Sequence, residues 1–193
     1  DQVEMGKRSD FPRRERDYYP TPVSAVLPLI DHLPARFSYI EPCAGDGALV
    51  RALYSFAGVA HDGTFRPSLE YASDVCPVGR DAEPVCDTKD AFSITNAPTG
   101  VDFFITNPPW SRSILHPLIL HLSSIRPTWL LFDGDWMHTI QAAPYLKRCR
   151  KIVSVGRVKW IPGSPYSGKD NCAWYFFDHA TSDGAVDFCC RRW

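Results

Sequence analysis

Apolar residues recur along this chain in two rhythms that alternate from one end to the other. Short apolar runs at 37–42 (FSYIEP), 69–75 (LEYASDV), 101–106 (VDFFIT), 128–134 (TWLLFDG), 151–161 (KIVSVGRVKWI) and 172–178 (CAWYFFD) have the length and bounding residues of strands. Between them lie segments with helical apolar spacing: 21–33 (TPVSAVLPLIDHL, despite Pro28), 47–58 (GALVRALYSFAG), 113–125 (SILHPLILHLSSI) and a further helix near 141–149. The piece at 90–94 (DAFSI) reads as a short strand or a turn. Strands alternating with helices predict a mostly parallel, doubly wound α/β sheet. The last two strands, joined by a Gly/Pro-rich loop, predict an antiparallel pair.

Composition narrows the class. A chain of 193 residues, 45% of them hydrophobic, is long enough for one domain with a real core, and no apolar run is long enough to span a membrane. The start shows no basic, then apolar, secretory pattern, so a soluble cytoplasmic protein is expected. The seven cysteines (43, 76, 86, 149, 172, 189 and 190) form no C-x-x-C, which argues for a reducing compartment without a zinc knuckle or disulfide framework. Adjacent Cys189 and Cys190 read as packing residues.

The net charge of −1 hides an asymmetry. Residues 41–100 hold nine Asp/Glu against four Lys/Arg, and 146–193 hold four against nine. Lys147, Arg148, Arg150, Lys151, Arg157 and Lys159 have no acid among them, which predicts a phosphate-facing surface. An N-terminal arm at 1–17 adds Lys7, Arg8, Arg13, Arg14 and Arg16, diluted by Asp10, Glu15 and Asp17.

Three segments carry candidate chemistry. The strand at 101–106 stops at Asn107, Pro108, Pro109 and Trp110; two prolines cannot continue a ladder, so an amide and an indole are fixed at a strand end. Ligands of open α/β sheets bind beyond such carboxyl ends. In EPCAGDGAL (41–49), Gly45 and Gly47 allow close backbone approach to a ligand, while Glu41 places a carboxylate where a pyrophosphate would be repelled. Val50 occupies the last glycine position of a dinucleotide fingerprint, so NAD is disfavoured and a cationic nucleoside fits better. Asp74 and Asp90, at the next two strand ends, suit ribose hydroxyls and an adenine amino group. In series these acids describe a pocket for S-adenosylmethionine.

EPCAGDG resembles the cofactor loop of class I S-adenosylmethionine-dependent methyltransferases. NPPW resembles the catalytic tetrapeptide of the amino-methyltransferases, and YYPTP (18–22) the N-terminal cofactor segment of DNA N6-adenine enzymes. The order matches small enzymes of this group, often encoded by phages and prophages. The resemblance covers residues 18 to about 178, and makes 18–193 one catalytic domain. It implies a Rossmann-like sheet with an antiparallel seventh strand. It also implies a cofactor held by Tyr19, Pro20, Thr21, Glu41, Pro42, Cys43, Ala44, Gly45, Gly47, Asp74, Val75, Asp90, Ala91 and Asn107, with methyl transfer at Asn107, Pro108, Pro109 and Trp110.

Chemically, the exocyclic amine of a purine is a poor nucleophile because its lone pair is delocalised. The Asn107 oxygen and the Pro108 carbonyl can each accept one N–H and draw the nitrogen toward tetrahedral geometry, with Trp110 stacking on the base. A duplex base would have to flip out; a single strand avoids that cost. The loop at 156–177, with Trp160, Tyr166 and Lys169, is the candidate second wall of the base slot. It contains a near P-loop at Gly163, Gly168 and Lys169, but Asp170 replaces the required Ser/Thr and ATP is rejected. Asp133 and Asp135 read as strand-end turn residues, and no metal is expected. His116, His121 and His138 read as helix or pocket-rim residues. Three functions stay open: N6-adenine methylation of DNA, methylation of RNA adenine or a protein glutamine amide, and a non-catalytic nucleic-acid-binding module. No room remains for a separate target-recognition domain.

Overall fold

The structure is a computed structural model and describes residues 19–78, 86–179 and 185–191; the basic arm at 1–17 and Tyr18 lie outside the described residues. Eight strands form one sheet in the order β3-β2-β1-β4-β5-β7-β6-β8. They are β1 (Arg36–Glu41), β2 (Arg66–Asp74), β3 (Asp87–Thr88), β4 (Phe103–Thr106), β5 (Thr128–Asp133), β6 (Cys149–Arg157), β7 (Asn171–Phe177) and β8 (Asp187–Cys189). The expected mostly parallel α/β sheet is therefore present. β1 to β5 run parallel, and β7 inserts between β5 and β6 antiparallel to both.

The apolar runs lack a polar face because both faces of the sheet are covered. On β5, Trp129 and Leu131 belong to the core under α1 (Val23–Ile30) and α2 (Ala48–Ser55). Leu130 and Phe132 belong to the opposite core, under α3 (Arg112–Ile125). α3 buries Leu115, Leu118, Ile119 and Leu122, one stripe at helical spacing, and tolerates Pro117 within its first two turns. The Trp174 indole N–H on β7 donates to the Ala25 carbonyl at 2.8 Å, tying α1 to the sheet across 149 residues of sequence.

Several expected elements differ in extent. α1 is shorter than 21–33, although Pro28 sits inside it as anticipated. The helix near 141–149 is reduced to one turn, α4 (Ala143–Leu146), behind two 3-10 turns at Gly134–His138 and Ile140–Ala142. β6 ends at Arg157 rather than running to 161, just after a bulge at Gly156, whose φ of 81° only glycine adopts freely. The Arg191 guanidinium lies 2.8 Å from where a Cβ on Gly156 would be, so a side chain there would also have to move the Arg191 side chain. Segment 90–94 is a 3-10 turn at Ala91–Ser93. β3 and β8, two and three residues long, had no apolar pattern by which to be found. Cys189 packs partly against the core beside β6, but Cys190 is exposed, which corrects the expectation that both are packing residues.

Replacing Trp174 by Phe removes the bond to Ala25 and leaves unfilled volume in a fully buried site. It should destabilise the fold by about 2–3 kcal/mol, read as a lower urea midpoint at unchanged m-value.

Candidate functional site

The strand order reverses between β1 and β4, so the loops leaving their carboxyl ends diverge and open a crevice. A cavity of about 540 Å³ occupies it, a size typical of small-molecule sites. Its walls include Tyr19, Pro20, Thr21, Glu41, Pro42, Cys43, Ala44, Asp74, Val75, Asp90, Ala91, Asn107, Pro108 and Pro109, drawn from five separate segments. Gly45 and Gly47 are not on the wall; both have positive φ (56° and 80°) and shape the loop that carries Ala44, Asp46 and Ala48 to it. Gly47 caps α2, and the Gly45 N–H donates to Asp74 Oδ2 at 2.9 Å.

Each polar side chain on the wall is held by backbone or by a neighbour. Asp74 also accepts from the Cys76 N–H at 2.7 Å, which fixes both oxygens of the carboxylate. Asp90 caps its 3-10 turn, accepting from the Phe92 N–H at 2.9 Å. Asn107 is gripped at both ends: Nδ2 donates to Thr21 Oγ1 at 3.1 Å, and Oδ1 accepts from the Trp110 indole N–H at 3.2 Å. Glu41 is the exception. Only 1% exposed, it accepts from the Cys43 N–H at 3.1 Å with Oε1, while buried Oε2 makes no hydrogen bond of ordinary geometry and has the Thr106 hydroxyl beside it. Burial pushes this carboxyl up to about 8, opposed by the Thr106 hydroxyl and the Cys43 N–H and helped by the charge of Asp74. Burial likewise raises the Cys43 thiol, so Cys43 offers no thiolate nucleophile to the cavity.

Trp110 is not on the cavity wall. Its ring meets Trp160 edge to face (5.8 Å between centroids, 79°), and Trp160 meets Tyr19 at 6.3 Å. Gly168 lies against the Trp160 indole, with only 3.2 Å to its Cδ1 from a built Cβ, and so closes the loop onto that ring. Tyr166 (68% exposed) and Lys169 stand out on the same loop.

The basic stretch needs correction. β6 runs parallel to β5, since both are antiparallel to β7; Cys149 pairs with Phe177, which pairs with Thr128 at the amino end of β5. Lys147, Arg148, Arg150 and Lys151 therefore sit at the amino end of β6, whereas Asn107 follows the carboxyl end of the parallel strand β4. Arg148 there donates to Ser123 and Ser124 Oγ at 3.2 and 3.0 Å, binding the last turn of α3. The six-residue stretch is split by the strand it runs along. Arg157 and Lys159 emerge at the cavity end.

Cavity residues that sequence reading missed include Asp46, Cys76, Phe92, Ile114 and Leu118. Ile114 and Leu118 are one helical turn apart on α3 behind the prolines, a spacing visible in the sequence. Outside the cavity, Asp133 Oδ1 accepts from the Asp135 N–H at 2.9 Å, the turn role expected of it. His116 Nε2 accepts from the Trp136 indole at 3.0 Å, and His121 Nε2 bonds the Ile94 carbonyl at 2.8 Å.

No protein-family model matches the chain, and no curated protein matches it by sequence. Solved structures that resemble it include three that each carry a provisional assignment. An RNA methyltransferase from Pyrococcus horikoshii is 15% identical, with TM-score 0.55, over 89% of this chain and 92% of that one. The modification subunit of a type I restriction enzyme from Vibrio vulnificus is 13% identical, with TM-score 0.52, over 85% and 44%. A class I S-adenosylmethionine-dependent methyltransferase from Listeria monocytogenes is 12% identical, with TM-score 0.50, over 87% and 62%. The fold is the Rossmann-like one of methyltransferases. The chain spans less than half of the modification subunit and nearly all of the Pyrococcus protein.

S-adenosylmethionine fits the residues present. A buried acid on the wall suits a cationic ligand, two further anchored acids suit its hydroxyl and amino groups, and Val75, Phe92, Ile114 and Leu118 offer apolar surface to a base.

Glu41 gives a signed pH prediction. Its folded-state value is above the unfolded one, so its neutral form favours the fold, and this contribution is lost as pH rises from the ordinary carboxylate range toward about 8. The stability of wild type relative to Glu41→Gln should therefore fall between roughly pH 5 and 8 in denaturant titrations. Parallel pH profiles would mean that Glu41 is ionised throughout that range.

Proposed function

We propose that the chain is an S-adenosylmethionine-dependent methyltransferase acting on the exocyclic N6 amino group of adenine in DNA. The observation that carries this reading is the juxtaposition of an anchored Asn107-Pro108-Pro109 wall with a cavity whose charged groups are all acids. Resemblance to structures described as methyltransferases supports the same chemistry.

In this reading Glu41 ionises beside the cation, Asp74 accepts from ribose hydroxyls, and Asp90 accepts from the adenine amino group of the cofactor. S-adenosylmethionine, when bound, supplies a methyl group made electrophilic by the sulfonium. Asn107 Oδ1, with one lone pair engaged by Trp110, has a second for a target N–H, and the Pro108 carbonyl accepts the other. These two acceptors localise the amine lone pair and stabilise the positive charge that develops on nitrogen, which afterwards loses a proton to solvent. Positioning does most of the work, and no strong base is required.

Charge on the cavity end supports a polyanionic substrate. Exposed Arg157, Lys159, Lys169 and Arg191 gather at the β6 and β8 end, with Asp170 among them, while Glu41, Asp74 and Asp90 occupy the β1 to β3 end. The aromatic series Tyr19, Trp160, Trp110 lies toward the basic side. An RNA adenine is the second reading, favoured by the Pyrococcus structure described as an RNA methyltransferase, of which this chain covers 92%.

Nucleoside mass spectrometry after incubation with S-adenosylmethionine and unmodified DNA or RNA tests the reading. N6-methyladenosine from RNA alone would select the second reading, and no methylated adenine from either would overturn both. Asn107→Ala should abolish transfer and leave cofactor affinity, by calorimetry, within a few-fold, whereas Asp74→Ala should weaken cofactor binding by roughly 1–3 kcal/mol. Neutralising Arg157, Lys159 and Lys169 to Gln should flatten the slope of log affinity against log salt by about 0.7–0.9 per phosphate contact, and neutralising Lys147 and Lys151 should leave it unchanged.

A further inference from the structure

An indole N–H is a donor only, so the atom of Asn107 that faces Trp110 Nε1 at 3.2 Å has to be the amide oxygen. Rotating the amide by half a turn would set its NH₂ against the indole N–H, two donors facing each other in a half-buried site. Thr21 could accommodate either orientation, because its hydroxyl both donates and accepts. Trp110 is thus the residue that discriminates between them. The indole itself is fixed: its ring is edge-on to Trp160, which Gly168 and Tyr19 hold from two other sides. It contributes no surface to the cavity, unlike Pro108 and Pro109, which precede it in the same turn.

We propose that Trp110 is a positioning residue whose indole N–H locks the Asn107 amide in the orientation that presents its oxygen as acceptor, with Thr21 as the second anchor. This rests on the methyl-transfer reading for its catalytic consequence, though the lock itself does not. A flipped Asn107 would offer the target amine N–H groups instead of a lone pair, and its orientation therefore decides whether the amine is activated.

Trp110→Phe keeps an aromatic ring of similar shape and removes only the N–H. It should lower kcat about tenfold or more while leaving KM for the nucleic acid within about twofold, because the lost effect is on the reacting nitrogen and not on binding. Thr21→Val should lower kcat in the same way and Thr21→Ser should restore it. Wild-type kcat in Trp110→Phe, or a KM effect alone, would assign the ring to stacking and overturn the proposal.

A readout independent of turnover is the ¹⁵N-resolved side-chain NH₂ pair of Asn107, assigned by its loss in Asn107→Ala. In wild type it should be a single pair, protected from exchange through Thr21; in Trp110→Phe it should double or broaden as both orientations become populated. An unchanged single pair in that variant would overturn the lock whatever the activity. A wild-type protein that shows the lock but methylates neither DNA nor RNA would overturn the functional reading alone. Should Trp110→Phe fail to fold, replacement of Trp110 by benzothienylalanine, which keeps the shape of the indole and puts sulfur in place of the N–H, decides by the same two measurements.

Discussion

Where a parallel sheet stops, its last polar groups lose the ladder that satisfied them, and each has to find a partner or a ligand. At the carboxyl ends of β1, β2 and β4 this requirement shapes everything nearby. The Gly45 and Cys76 amides turn back to Asp74, and Phe92 turns to Asp90. Asn107 reaches the N-terminal segment through Thr21 and the following turn through Trp110. Glu41, buried beside the Thr106 hydroxyl, lines the cavity that the diverging loops leave open. The site is what remains after the strand ends have been satisfied.

The same geometry sorts charge. Acids emerge at the ends of the strands on one side of the switch point, and cations emerge from β6, β8 and the loop between β6 and β7 on the other. A ligand pair consisting of a cation and a polyanion matches that division, with the Asn107 amide at the boundary. The basic residues at the start of β6 take no part, because nine residues of strand carry the chain from one end of the sheet to the other, about 30 Å at the usual rise. Arg148 instead binds hydroxyls on α3. Positive charge on a segment becomes a surface only once the strand's direction is known.

Much of the site was legible because the reasons for it are local. Two prolines after an apolar run stop a strand wherever it lies in the fold, so Asn107 had to be at a strand end. Gly45 and Gly47 take positive φ, as a tight strand-to-helix turn demands, and Asp74 and Asp90 follow apolar runs or open a turn. Trp110 was legible as a site residue from its ring, but the bond of its N–H to Asn107 and its contact with Trp160, fifty positions further on, were not. The helix near 141–149 failed for the complementary reason. Its apolar residues suffice for one turn, and Trp136 and Ala142 are buried by 3-10 turns that periodicity does not resolve.

By itself the sequence determined the class of fold, the positions of the main strands and helices, and the set of acids, glycines and prolines placed at strand ends. Each of these follows from the chemistry of a few consecutive residues: backbone restriction at proline, freedom at glycine, and the period of burial. The tertiary structure alone decided which ends share a face, that β7 enters between β5 and β6, that the N-terminal Thr21 closes on Asn107 across 86 positions, and which half of the basic stretch reaches the cavity. Those outcomes depend on pairing and direction between segments far apart in the chain. A local pattern fixes what a segment buries, and only its neighbours fix where it points.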